Sequence, residues 1–265
     1  MSYYAPPPPR PERGRGRWLV LGIASIVAAV ILVWWVQNSA PSVYVKDEDG
    51  IWRPRITTDY QPNPDDTGST RVLDERNAPN AGVKEFIMVQ SDGTSPVTFD
   101  PCTTIQVEIN YRRAPTNAPR LTQEAMERIE ELSGLKFEVL GETDREVDFD
   151  RLYSGREPVL ISWSDRWRVP ELRGSVLGVA GAQPAVHEDW KWFIGGQVAL
   201  DGRDLDGKSD RLIRSVVMHE LGHLVGLGHV DSHQELMYPT VSGATDFGPG
   251  DRSGLAELGA GRCLS

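Results

Sequence analysis

The chain has 265 residues, 39% of them apolar and 25% charged, which suits one packed domain of ordinary size with extensions. Its formal net charge of −10 argues against nucleic acid as a partner. The charge is uneven: residues 1–17 hold four arginines and one glutamate, a net +3, which leaves −13 on the remainder.

In chain order, MSYYAPPPP opens a short Pro- and Arg-rich tail over residues 1–17. It reads as a disordered stub, with docking to a proline-recognising domain as the alternative. Trp18 to Val36 follows as nineteen residues without a charge. At 1.5 Å per residue it would cover roughly 28 Å, close to the thickness of a hydrocarbon core. Trp18, Trp34 and Trp35 stand at its two ends, where indole rings favour the membrane interface. Arg10, Arg13, Arg15 and Arg17 precede it, so the positive-inside rule places the N-terminus in the cytoplasm. A cleaved signal peptide would carry a shorter apolar stretch, about 7–15 residues. Its nearest small-residue site, Asn38–Ser39–Ala40, is followed by Pro41, which signal peptidase tolerates poorly. The reading is therefore one transmembrane signal anchor over residues 18–36, with the rest of the chain extracytoplasmic at the cell membrane. Residues 37–81, rich in Pro, Asp, Asn and Thr, read as a stalk or linker, or alternatively a pro-segment.

The folded domain is expected over residues 82–265. Glu85 to Gln90 and Thr104 to Asn110 have the composition of strands, the second alternating apolar and polar residues. Leu121, Ala125, Ile129 and Leu132 recur at helical spacing, with Thr122 as start signal and Gly134 as stop. Leu135 to Leu140 and Pro158 to Trp163 predict two more strands, Gly174 to Ala185 an extended stretch, and Gln197 to Asp201 another strand. A further helix should start at Ser209 or Asp210, with Leu212, Ile213, Val216 and Val217 facing inward. Pro249 to Leu258 predicts a short closing helix. Cys102 and Cys263 are the chain's two cysteines, and outside the membrane such a pair most often forms a disulfide.

The densest chemical signal is HELGHLVGLGH, from His219 to His229. His219 and His223 are four apart, so they share one face of a helix, and their imidazoles can converge on one Zn²⁺. Glu220 follows the first ligand, beside the place where a metal-bound water would sit. Gly226 stands where the helix must stop, so that the chain can turn back and bring in His229 as third ligand. Three protein ligands leave one position open, the layout of a catalytic zinc site. His233, in the same cluster, fits no ligand position and reads as a surface residue.

This pattern, HExxHxxGxxH, resembles the metzincin zinc signature at every fixed position. Met237, eight residues after His229, matches the methionine turn of that clan, and Met237–Tyr238–Pro239 resembles the matrixin branch, the family of the matrix metalloproteinases. The resemblance is to a bacterial member of that family. It implies an α+β fold: a twisted mixed sheet, a zinc-binding helix, a Met-turn and a C-terminal helix, here preceded by one transmembrane helix. It implies that Met237 forms an apolar floor under the metal and that Tyr238, Pro239 and Thr240 line a substrate pocket. The stretch around Val176 to Ala180 is the candidate edge strand for pairing with substrate backbone.

Four departures from the family pattern stand out. Val241 occupies a place where a tyrosine is often found, and the cysteine-switch motif PRCGxPD is absent. Only His187, with Asp189 nearby, lies where the family's structural zinc has several histidines, so no structural zinc is expected. Asp201 to Asp210 (DGRDLDGKSD) lacks the terminal glutamate of an EF-hand and reads as an acidic turn, so calcium is not expected either.

The implied activity is a membrane-anchored zinc endopeptidase, with one catalytic zinc on His219, His223 and His229 and Glu220 as general base. Its partner would be a peptide or protein substrate; oligomeric state is not legible. Two alternatives share the scaffold. One is a noncatalytic peptide-binding surface module, which would have no need of Glu220. The other is a zinc amidase acting on cell-wall peptides, which the motif does not separate from an endopeptidase.

Overall fold

The computed structural model describes residues 44–46, 52–54, 81–150 and 157–264. The expected tail and anchor, and all of the expected stalk but two short strands and Ala81, fall outside these residues. Among the described residues no helix is long and apolar enough to cross a membrane. The two strands, β1 (Tyr44–Lys46) and β2 (Trp52–Pro54), pair antiparallel inside the segment read as a stalk, linker or pro-segment.

The folded domain is built on a five-stranded mixed sheet of β3 (Thr104–Asn110), β4 (Lys136–Glu142), β5 (Val159–Ser164), β6 (Gly178–His187) and β7 (Trp190–Asp201). The spatial order is β4-β3-β5-β7-β6. Four strands run parallel to their neighbours, and β6 pairs antiparallel to β7 along one edge. Central β5 is buried along its whole length, as expected of a continuous apolar run covered on both faces. Its alternate residues serve two cores. Val159, Ile161 and Trp163 join the main core under the helices, while Leu160 joins a smaller cluster with Phe149, Val169 and Leu172 on the opposite face.

Helix α1 (Ala118–Ser133) packs its stripe of Leu121, Ala125, Met126 and Ile129 into the main core. It starts at Ala118, four residues before the expected Thr122, because Pro119 fits the first turn, where no N–H is needed. Thr122 is instead fully buried inside the helix. Gly134 ends α1 in the left-handed conformation (φ 76°), as expected. Beyond β7 come the one-turn helix α2 (Gly202–Leu205), then α3 (Asp210–Val225) and α4 (Pro249–Gly259).

Three other expectations are corrected. Glu85 to Gln90 makes only the isolated bridges Phe86–Leu227 and Val89–Pro96 rather than a strand. The stretch from Gly174 becomes a strand only at Gly178. Strand β7 extends back to Trp190, because the two-residue turn Glu188–Asp189 (φ 48° and 64°) folds it onto β6 as a hairpin.

Cys102 and Cys263 are joined in a disulfide, their Cα atoms 5.5 Å apart. The bond ties the chain just before β3 to the C-terminus, closing a loop across 161 residues. Cys102→Ser with Cys263→Ser is expected to destabilise the domain by about 2–5 kcal/mol. Urea unfolding with and without reductant measures this, and equal midpoints would contradict it.

Candidate metal centre

Helix α3 carries the first two histidines. Ser209 caps it by accepting the Leu212 N–H (3.3 Å). Ile213, Val216 and Val217 are buried as expected, whereas Leu212 is only partly covered. The helix stops at Gly226 (φ 127°), whose N–H donates to the carbonyls of Gly222 and His223 (3.1 Å each). A side chain at Gly226 would meet the Val97 carbonyl and Leu258 at 2.9 Å, so position 226 needs glycine for both conformation and space. The segment expected as a strand acts here as a clamp. Ile87 donates its N–H to the Gly226 carbonyl (3.0 Å), and Glu85 accepts from Gly228 N–H (2.7 Å). The chain is thereby folded back so that His229 faces α3.

The three Nε2 atoms of His219, His223 and His229 form a near-equilateral triangle with sides of 3.0, 3.1 and 3.2 Å. Two of the rings are oriented from behind. His219 Nδ1–H donates to the Leu236 carbonyl and His223 Nδ1–H to the Leu227 carbonyl, each at 2.8 Å. Carbonyl oxygens only accept, so these Nδ1 atoms carry the protons and the Nε2 atoms present bare lone pairs. Lone pairs this close repel one another unless a cation lies between them. Tetrahedral ligands around zinc stand roughly 3.3 Å apart at Zn–N distances of about 2.0–2.1 Å, so the triad fits the ion.

Burial holds all three imidazoles below the ordinary histidine value. It is the main cause for His219, and for His223 the charges of the other two rings add to it. His229 is lowered to about 4, by burial and then by the charge of His219. A lowered pKa keeps the zinc-binding neutral form in place as pH falls through 6.5. From pH 8 downward, zinc affinity is therefore expected to begin its fall below pH 6.5 rather than at it. Competition against a chelator across this range checks it, and a decline starting near 6.5 would contradict it.

Glu220 lies on the neighbouring face of α3, only 6% exposed. Its side chain rests against Gly178 at the start of edge strand β6, where an added Cβ would come within 2.5–2.8 Å of its Cγ, Oε1 and Cδ. Burial pushes its carboxyl up to about 8, and a divalent cation beside it would oppose that shift. The arrangement brings a buried carboxyl group next to three convergent nitrogens and to the start of edge strand β6.

A sequence model of the matrixin family matches residues 103–258, more than half of the chain. The chain is a matrixin. It thus belongs to a family of zinc metalloproteases; comparison with curated proteins gives no match.

The matched region contains the three histidines, Glu220, Gly226 and strand β6, while the clamp at Glu85 and Ile87 lies before it. In this matrixin Met237 is fully buried beneath α3, and its carbonyl accepts from Val230 N–H (3.1 Å). Gly222 makes room for it: a Cβ there would lie 2.7 Å from the Met237 sulfur. Tyr238 is half-buried while Pro239 and Thr240 are exposed on the following turn, and the exposed ring of His233 stacks on Tyr238 with centroids 3.9 Å apart. Val241 is 64% exposed.

His187 contacts Trp192 at the β6–β7 hairpin, and Asp189 forms the turn beside it. Among the described residues the other grouping of potential ligands, Asp100 with Cys102 and Cys263, has both sulfurs in the disulfide. In the acidic segment after β7, Asp201 accepts from Asp204 N–H (3.0 Å) and both pair with Arg166. Two buried carboxylates, Glu235 and Asp251, were not marked by the motif. Their only sequence signal is an acidic residue in the first turn of α4 and another beside the Met-turn.

Proposed function

We propose that this matrixin is a membrane-anchored endopeptidase whose catalytic domain faces away from the cytoplasm, with His219, His223 and His229 holding one zinc ion and Glu220 as general base. The observation that carries this reading is the triangle of bare Nε2 atoms with a buried carboxylate one residue from the first ligand. When bound, zinc would supply Lewis acidity, lowering the pKa of a bound water toward about 7 and stabilising negative charge on the scissile carbonyl oxygen.

The protein's own groups supply the rest. Leu236 and Leu227 fix the tautomers of His219 and His223. Glu220 removes the proton from the attacking water and delivers a proton to the leaving nitrogen. Among the described residues β6 is the edge strand of the sheet, and its start beside Glu220 would offer backbone groups to an extended peptide. Met237 gives the site an apolar floor, and Tyr238, Pro239 and Thr240 form one wall of the pocket for the residue after the cut.

Support for the anchor is the uncharged stretch from Trp18 to Val36 with arginines before it and tryptophans at its ends. Two experiments test the whole reading. Alkaline extraction should leave the full-length chain with the membrane, and release into the soluble fraction would refute the anchor. Purified chain should cleave peptides internally in a chelator-sensitive way, and cleavage unaffected by chelator would refute the zinc mechanism.

A further inference from the structure

Glu235 and Asp251 are 2% and 1% exposed, and neither has a part in the chemistry at Glu220. Burying two carboxylates side by side is unfavourable: burial pushes Asp251 up to about 6, and the charge of Glu235 adds to the push. What they do is visible in their bonds. Glu235, two residues before Met237, accepts from Gly250 N–H through both oxygens (3.0 Å each) and from Asp251 N–H (3.0 Å). These are N–H groups of the first turn of α4, which have no partner within the helix. Asp251 returns the contact, accepting from Leu236 N–H (2.5 Å) and Gly248 N–H (3.1 Å).

The exchange locks α4 to the turn below the metal centre. Leu236 is held at its N–H by Asp251, and its carbonyl accepts the Nδ1–H of His219 at 2.8 Å. A continuous path of hydrogen bonds therefore runs from Glu235 through the start of α4 and Asp251 to Leu236 and a metal-binding ring. Packing leaves the path little freedom. A Cβ on Gly248 would collide with Glu235, and one on Gly82 would reach Gly250.

We propose that Glu235 is a positioning residue for the metal centre, fixing His219 through α4, Asp251 and Leu236. The proposal rests on the zinc reading of the triad. Partners behind a ligating histidine typically contribute 10–100-fold in metal affinity, and Glu235 stands further back, so the lower end applies.

The test measures zinc affinity of the full-length chain by competition with a chromophoric chelator, together with the unfolding temperature. Glu235→Gln keeps the size of the side chain and one carbonyl acceptor but removes the charge. It is expected to weaken zinc binding about tenfold. Ile129→Val, a core change in α1, should lower the unfolding temperature and leave zinc affinity unchanged. Glu235→Gln binding zinc as the unaltered chain does would overturn the proposal alone, whereas no zinc binding by the unaltered chain would overturn the metal reading with it.

If Glu235→Gln does not fold, amide hydrogen exchange on the unaltered chain decides. Coupling between sites is reciprocal, so zinc should slow the local opening that exposes the Gly250 and Asp251 amides at least tenfold. Exchange at Gly250 and Asp251 left unchanged by zinc would overturn the proposal.

Discussion

Glu220→Gln is expected to lower peptide hydrolysis by about 10²–10⁴-fold while the chain still takes up one zinc. The change is nearly isosteric, and the carboxylate makes no contact that supports the triad, whose rings are oriented by the Leu236 and Leu227 carbonyls. What is lost is a proton acceptor, so kcat should carry the loss and KM should change little. The result also separates enzyme from binding module: a noncatalytic scaffold would bind the same peptides equally well with either residue. Metal analysis beside steady-state kinetics measures both quantities. Undiminished hydrolysis by a zinc-loaded Glu220→Gln chain would rule out the general-base role.

His223→Ala is expected to abolish zinc uptake and activity together. His223 is one corner of the triangle, 3.1 Å from His219 and 3.0 Å from His229 through their Nε2 atoms. Without it two of the three ligand nitrogens remain. Loss of the ion also removes its stabilisation of the fold, about 4 kcal/mol when free zinc is 1,000-fold above its dissociation constant. For a domain of this size that corresponds to a fall of roughly 10 °C in unfolding temperature. The variant should therefore unfold where the chelated unaltered chain does, and adding zinc should raise only the latter. Scanning calorimetry of both proteins with zinc and with chelator reads this directly. A variant that still gains stability from zinc would show that His223 is not a ligand.

The parts of the site that could be read beforehand were those governed by local rules. Ser209 as a cap, Gly226 and Gly134 as stops and Pro249 at the start of the closing helix each act within one turn of chain, and each lies where its residue type predicts. The spacing of His219 and His223 is likewise a local property of the helix. Errors arose where distant residues decided the outcome. EFIMVQ has the composition of a strand, but the backbone groups of Glu85 and Ile87 are taken by Gly228 and Gly226, which makes the segment a clamp. Thr122 has the chemistry of a cap, yet the packing of α1 buries it inside a helix that starts at Ala118. Trp190 to Gly196 holds two glycines and little alternation, and it is a strand because β6 pairs with it. Glu235 and Asp251 are ordinary surface residues by composition; only the meeting of the Met-turn with α4 buries them.

The central claim is peptide hydrolysis at the triad and Glu220. The most direct measurement incubates the purified full-length chain with a pooled peptide library, with and without chelator, and reads the products by mass spectrometry. The account predicts internal cuts that chelator prevents and zinc restores, with a consistent residue after the scissile bond. A chain that carries one zinc and leaves the whole library intact would contradict it.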